Sequence, residues 1–183
     1  MRPFCSPAAV LAVLLLASCS TTPATTEAPA QEAPATDAAP TRIALRADNN
    51  KFVTAEQEAE HPFLLQLIAS REAPGEWEIF ERVPMGDKKF ALRASNGRFV
   101  SADQQVERGL IADRESPGGW ETFEEVSMPD GRIAIRSWEG KFVCADFTLE
   151  GEGNGRLVAD RDQAGLWESF TVVTDLPAPT APN

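Results

Sequence analysis

A chain of 183 residues has the length of a single ordinary domain, which excludes a large multidomain enzyme. Its 17 lysines and arginines against 28 aspartates and glutamates leave a net charge of −11, so a partner gripped mainly through phosphates, nucleic acid or anionic lipid, is not expected. One histidine and three cysteines leave few ligands for a zinc or iron site and no second imidazole for a proton relay.

The chain opens with Arg2 as its only early charge, then an apolar run from Ala8 to Ala17. That run is too short to span a bilayer and reads as a secretory signal over residues 1–18. It ends in Leu16-Ala17-Ser18-Cys19, which resembles the bacterial lipobox, where the cysteine sulfur receives a diacylglycerol before cleavage. The resemblance implies that Cys19 is lipidated, with palmitate-type acyl chains each adding about 0.8 kcal/mol of membrane attachment per buried CH₂. Ser20 after the cysteine, by similarity to enterobacterial lipoproteins, implies the outer membrane. An ordinary signal with an incidental cysteine is the alternative. Beyond Cys5 and Cys19 only Cys144 remains, so no disulfide can form within the domain, and its place in the repeat below suggests a small buried residue.

Residues 19–41 follow as the lipidated cysteine and a Pro-, Thr- and Ala-rich tether without aromatic or branched aliphatic side chains, which cannot bury enough apolar surface to order itself. Residues 177–183 form a similar tail. What is expected to fold is 42–176.

Within that region four landmarks recur three times in order. Ile43-Ala44-Leu45-Arg46 returns as Phe90-Ala91-Leu92-Arg93 and Ile133-Ala134-Ile135-Arg136. Next come Phe52-Val53-Thr54-Ala55-Glu56, Phe99-Val100-Ser101-Ala102-Asp103 and Phe142-Val143-Cys144-Ala145-Asp146. Leu67-Ile68-Ala69-Ser70-Arg71, Leu110-Ile111-Ala112-Asp113-Arg114 and Leu157-Val158-Ala159-Asp160-Arg161 form the third set. Each unit closes on Trp-Glu-x-Phe, at Trp77 to Phe80, Trp120 to Phe123 and Trp167 to Phe170. The apolar residues alternate or cluster over four to six positions without a helical period, so each unit reads as about four strands. Asn49-Asn50, Asn96-Gly97 and Glu139-Gly140 tolerate positive φ and read as two-residue hairpin turns. Three units of four strands predict an all-β domain of about twelve strands, a single β-trefoil of three pseudo-repeats. A three-bladed propeller, the geometric competitor, falls below the usual four blades.

The set Leu-Arg-Ala, Asn-Gly, Arg-Phe-Val-Ser-Ala-Asp, Leu-x-Ala-Asp-Arg and Trp-Glu-x-Phe resembles the fascin family across 42–176. The resemblance implies the trefoil, and a family in which single copies occur in secreted bacterial proteins, some attached to glycan-cleaving enzymes, while eukaryotic fascins with four trefoils bundle actin. One trefoil behind a lipid anchor departs from the latter pattern.

Features present in all three units are most simply explained by the fold. Phe52, Phe99 and Phe142, the three tryptophans and Phe80, Phe123 and Phe170 are expected in the core. Arg46, Arg93 and Arg136, with Arg71, Arg114 and Arg161, are expected to pair with Glu56, Asp103, Asp146, Asp113 and Asp160. Sites are sought where one unit breaks the pattern. Trp138 stands at a turn where the other units have Asp48 and Ser95, and its flat face suits a sugar ring or a protein partner; packing on its own loop with Phe147 is the alternative. The loop with His61-Pro62-Phe63-Leu64-Leu65 is either an exposed contact point or a plug. Glu150, Glu152 and Asn154 in a glycine-rich insertion could approach calcium or a ligand, without the spacing of a known calcium loop. With one histidine no nucleophilic triad can be assembled, and carboxylate pairs for glycoside cleavage are not identifiable from spacing. The expectation is therefore a monomeric, noncatalytic binding module at the cell envelope, without cofactor, recognising a carbohydrate through Trp138, Phe147, Glu150, Glu152 and Asn154. The alternatives are a fascin-type module for actin filaments, which the negative charge disfavours, or a structural surface lipoprotein.

Overall fold

The computed structural model describes residues 39–102 and 109–178; the signal, Cys19, most of the tether and Asp103 lie outside them. Twelve strands appear in order: β1 (Thr41–Arg46), β2 (Phe52–Ala55), β3 (Leu67–Arg71), β4 (Ile79–Pro84), β5 (Lys89–Arg93), β6 (Phe99–Ala102), β7 (Leu110–Arg114), β8 (Phe123–Ser127), β9 (Ile133–Ser137), β10 (Phe142–Asp146), β11 (Arg156–Arg161) and β12 (Ser169–Val173). Short 3-10 turns at Glu76–Glu78 and Gly151–Gly153 are the only helical segments among the described residues.

Antiparallel pairing closes six strands into a ring: β1 with β4, β4 with β5, β5 with β8, β8 with β9, β9 with β12, and β12 back to β1. A closed ring leaves no unpaired strand edge in the barrel. The remaining six strands form three hairpins, β2–β3, β6–β7 and β10–β11, and bridges Gln66 to Ile111, Gly109 to Val158 and Arg156 to Ile68 tie the hairpins to one another around the pseudo-threefold axis. This is the β-trefoil arrangement, one unit per four strands.

The repeat is visible in the packing. Val53, Val100 and Val143 have no exposed surface, Leu67, Leu110 and Leu157 at most 1%, and Phe80, Phe123 and Phe170 none, giving three symmetric layers of apolar side chains. Each buried phenylalanine is worth about 1.5–3 kcal/mol of transfer free energy. All three hairpins carry a register shift at the same place, after Phe52, Phe99 and Phe142; Phe52 is buried, while Phe99 and Phe142 are only half-buried. The core expectation therefore fails for those two, and for the tryptophans: Trp77 and Trp120 are half-buried and Trp167 is 37% exposed.

The turns between the first two strands of each unit contain three residues rather than two. Ala47 N–H donates to Lys51 and Asn50 N–H to Ala47; Ala94 to Arg98 and Gly97 to Ala94; Ser137 to Lys141 and Gly140 to Ser137. The third turn residue is left-handed each time, at φ 62° for Asn50, 79° for Gly97 and 81° for Gly140, which asparagine and glycine tolerate. In units one and two the middle residue anchors the turn: Asn49 Nδ2 donates to Ala69 O at 2.9 Å and Asn96 Nδ2 to Ala112 O at 3.0 Å. Unit three has Glu139 there.

Candidate functional site

The first residue of the unit-three turn is Trp138, 50% exposed. It follows directly on the end of β9 at Ser137, two residues beyond Arg136 in sequence. Arg136 faces Glu124 across the β8–β9 ladder, and Glu124 faces Lys89 on β5. Arg136 donates to Glu124 Oε2 through Nε at 3.2 Å and Nη2 at 2.5 Å. Trp138 lines one cleft with this lysine, glutamate, arginine row. Around this row lies a cleft of about 740 Å³, walled by the β4–β5 turn at Met85 to Asp87 and by Gly118-Gly119. That volume is within the roughly 300–1,000 Å³ of small-ligand sites.

The pseudo-threefold axis generates two counterparts, and neither is equipped alike. In the first, Glu81 pairs with Arg42 and Arg93 on the neighbouring strands, and Ser95 takes the place of Trp138. This depression is smaller, about 490 Å³, and the chain's own Pro177 and Ala178 border it. In the second, Arg46 faces Thr171 instead of a glutamate, and the turn residue is Asp48, engaged by Arg132 at 3.3 Å.

The other expected site residues lie elsewhere. Phe147 meets Trp167 edge-on with ring centroids 5.4 Å apart, so Trp138 does not pack on Phe147, and neither Phe147 nor the glycine-rich insertion lines the Trp138 cleft. Glu152 and Asn154 border a polar depression of about 370 Å³ with His61, Glu56 and Arg71, while Glu150 is exposed. Asn154 Nδ2 is committed to the carbonyls of Phe147 and Leu149 at 3.2 and 2.8 Å. Among the described residues no group of three or more His, Cys, Asp or Glu is arranged to hold a metal ion. The His61 loop is mainly a plug: Phe63 is half-buried against Gly153, Arg156 stacks 5.7 Å from its ring, and of this loop's large apolar residues Leu64 protrudes, at 40%. Glu56 beneath this loop is buried and takes Arg71 at 3.1 Å with His61 Nε2 at 4.0 Å. Asp146, its counterpart, is held below the usual carboxylate range: burial opposes ionisation, but the Thr148 side chain and N–H and the charges of Arg161 and Arg156 outweigh it.

Two sets of residues escaped the sequence reading. Glu78, Glu121 and Glu168 of Trp-Glu-x-Phe are buried, and each carboxylate accepts the N–H of the glycine three residues earlier, Gly75, Gly118 or Gly165, at 2.8 Å. Arg71, Arg114 and Arg161 approach the same carboxylates at 3.9, 3.6 and 3.8 Å. The Gly-x-x-Glu spacing, repeated three times, was the available signal. The second is Lys89 and Glu124, which only the strand register joins to Arg136: the arginines expected to pair with acidic residues nearby in sequence instead meet cross-strand partners, Arg136 with Glu124 and Arg93 with Glu81, while Arg46 faces Thr171. Cys144, as expected, is fully buried, and burial pushes its thiol up to about 12 despite the hydrogen bond with Arg161.

Residues 47–150 match the family described as Domain of unknown function (DUF7910). No curated protein matches the chain. Among solved structures, the designed threefold-symmetric protein ThreeFoil superposes with a TM-score of 0.62 at 16% identity, covering 72% of this chain and 97% of that one. The BEL β-trefoil gives 0.58 at 13% identity over 76% and 97%. A Polyporus squamosus lectin, solved with the human-type influenza-binding epitope Neu5Aca2-6Galb1-4GlcNAc, gives 0.58 at 16% identity over 75% of this chain but half of its own. At these identities the likeness is one of fold.

Proposed function

Because the chain belongs to the family described as Domain of unknown function (DUF7910), whose description supplies no activity, we propose from its own residues that it is a noncatalytic module that binds carbohydrate in the Trp138 cleft. The carrying observation is Trp138 itself. A half-exposed tryptophan at a turn adds nothing to the symmetric core, yet it stands over a cleft whose side chains offer both donors and acceptors. An indole face packs against the C–H face of a pyranose while neighbouring polar groups meet its hydroxyls. The trefoil lectin of Polyporus squamosus was solved with a glycan, which lends this reading support at the level of the fold.

The test is a glycan array with pull-down on insoluble polysaccharides. Binding is expected in the wild type and is expected to fall at least tenfold in Trp138→Ala. Equal binding by both proteins removes Trp138 from the site, and a blank array removes the carbohydrate. As part of the same proposal, Cys19 carries the lipid that holds the module at the cell envelope, and 42–176 is a fascin-type trefoil. Mass spectrometry of the mature N-terminus tests the first point. A protein partner such as actin is the second reading, favoured by the exposed Leu166 and Trp167, 62% and 37% accessible; cosedimentation at low salt tests it.

A further inference from the structure

Building on the carbohydrate reading, we infer that the ligand is an uncharged glycan, and that a pair of vicinal hydroxyls on one sugar residue lies across the Glu124–Arg136 ion pair. The carboxylate and guanidinium are each a little over one-third exposed, at 37% and 38% of their side-chain surface. Both Arg136 contacts fall on one carboxylate oxygen, Oε2. Glu124 Oε1 and Arg136 Nη1 have no other partner among the described residues, and so present an acceptor beside a donor. A hydroxyl is both donor and acceptor, so of two neighbouring hydroxyls one can donate to Oε1 and the other accept from Nη1. Glu124, Arg136 and Trp138 line one cleft, which lets one sugar residue meet the ion pair at its hydroxyl edge and the next lie on the indole.

Charge argues for a neutral ligand. The cleft holds both signs, Lys89 and Arg136 against Asp87, Glu124 and Glu139, and the whole chain carries −11, which opposes the approach of a polyanion. The pseudo-symmetry supplies an internal control. Glu81 and Arg93 form the same cross-strand pair at 3.5 Å, but Ser95 stands where the indole would be, and the third position has Thr171 in place of the carboxylate. Only one of the three positions combines the pair with the aromatic.

The full-length protein is titrated with dextran, mannan and galactan against alginate and heparin, at low and high salt. Expected is binding to at least one neutral polymer, changed less than about twofold by salt and abolished when periodate cleaves the polymer's vicinal diols. Glu124→Gln and Arg136→Lys are each expected to weaken it about tenfold, while Glu81→Gln leaves it unchanged with a similar melting temperature. Salt-suppressed binding to alginate or heparin that is lost in Trp138→Ala overturns this inference and leaves the carbohydrate reading standing. An equal loss in Glu81→Gln and Glu124→Gln overturns it too, by showing that the pair acts through the barrel. Binding to no polymer overturns both.

Discussion

At the scale of single residues, the three units differ most usefully where symmetry does not dictate the choice. Trp138→Ala should leave the unfolding free energy nearly unchanged, within about 0.5 kcal/mol, because half the side chain is already in water and surface substitutions rarely cost more. Cys144 offers a different test. Its thiol is held up to about 12 in the fold, against 9.0 for the free group. Between those values the unfolded thiol has lost its proton and the folded one has kept it, so stability falls as pH rises past about 9. The limiting slope is about 1.4 kcal/mol per pH unit. The chain has no tyrosine, which leaves this window clear of phenol titration. Urea melts at pH 8 and pH 10.5 should show the loss in the wild type and a smaller one in Cys144→Ser, a substitution the fold accommodates since Ser101 and Thr54 occupy the equivalent buried places. Equal losses in both proteins would place the effect elsewhere.

Among elements, the loop before each fourth strand is fixed by one buried carboxylate. Burial pushes Glu121 above its ordinary range, more than the Gly118 N–H and the nearby Arg114 pull it down. A carboxyl raised in this way contributes nothing that acid would remove, because burial disfavours its ionised form in the fold. Glu121→Gln, which keeps an acceptor for Gly118, should therefore cost little at pH 7, whereas Glu121→Ala should cost about 1–3 kcal/mol by leaving that N–H unpaired. Chemical melts of the two variants separate the cases, and equal costs would show that packing matters more than the hydrogen bond. These glutamates also mark the limit of what the sequence discloses. The strands and their order were legible because apolar residues recur at a fixed spacing in three copies. The charged residue between Trp and Phe shows its depth only through the Gly-x-x-Glu spacing, whereas the threefold recurrence of the large aromatics points to a tryptophan in the core. The glutamate is the deeper of the two, since the 3-10 turn at Glu76–Glu78 brings Glu78 to the Gly75 N–H and leaves Trp77 half-buried.

For the whole molecule, stability rests on closing the ring of six barrel strands, and the final joint is β1 with β12. Phe170 on β12 is fully buried beside that joint. Phe170→Ala should cost about 3–5 kcal/mol, measured by urea unfolding, and a cost below 1 kcal/mol would mean that the closure is not cooperative. The candidate site was only partly legible at this scale. Trp138 could be found because it breaks a threefold pattern, but its neighbours come from β5 and β8, and a cross-strand register is not written in any one segment. The insertion with Glu150, Glu152 and Asn154 was conspicuous for its glycines, yet Asn154 closes its own loop and the segment borders a different depression. The most direct measurement is calorimetric titration of the wild type and Trp138→Ala, side by side, with the polysaccharide an array selects. The result expected is one saturable site per chain in the wild type and none in the variant at the same concentrations. Two or three equivalent sites, or identical isotherms for the two proteins, would contradict the assignment of binding to the unit-three cleft.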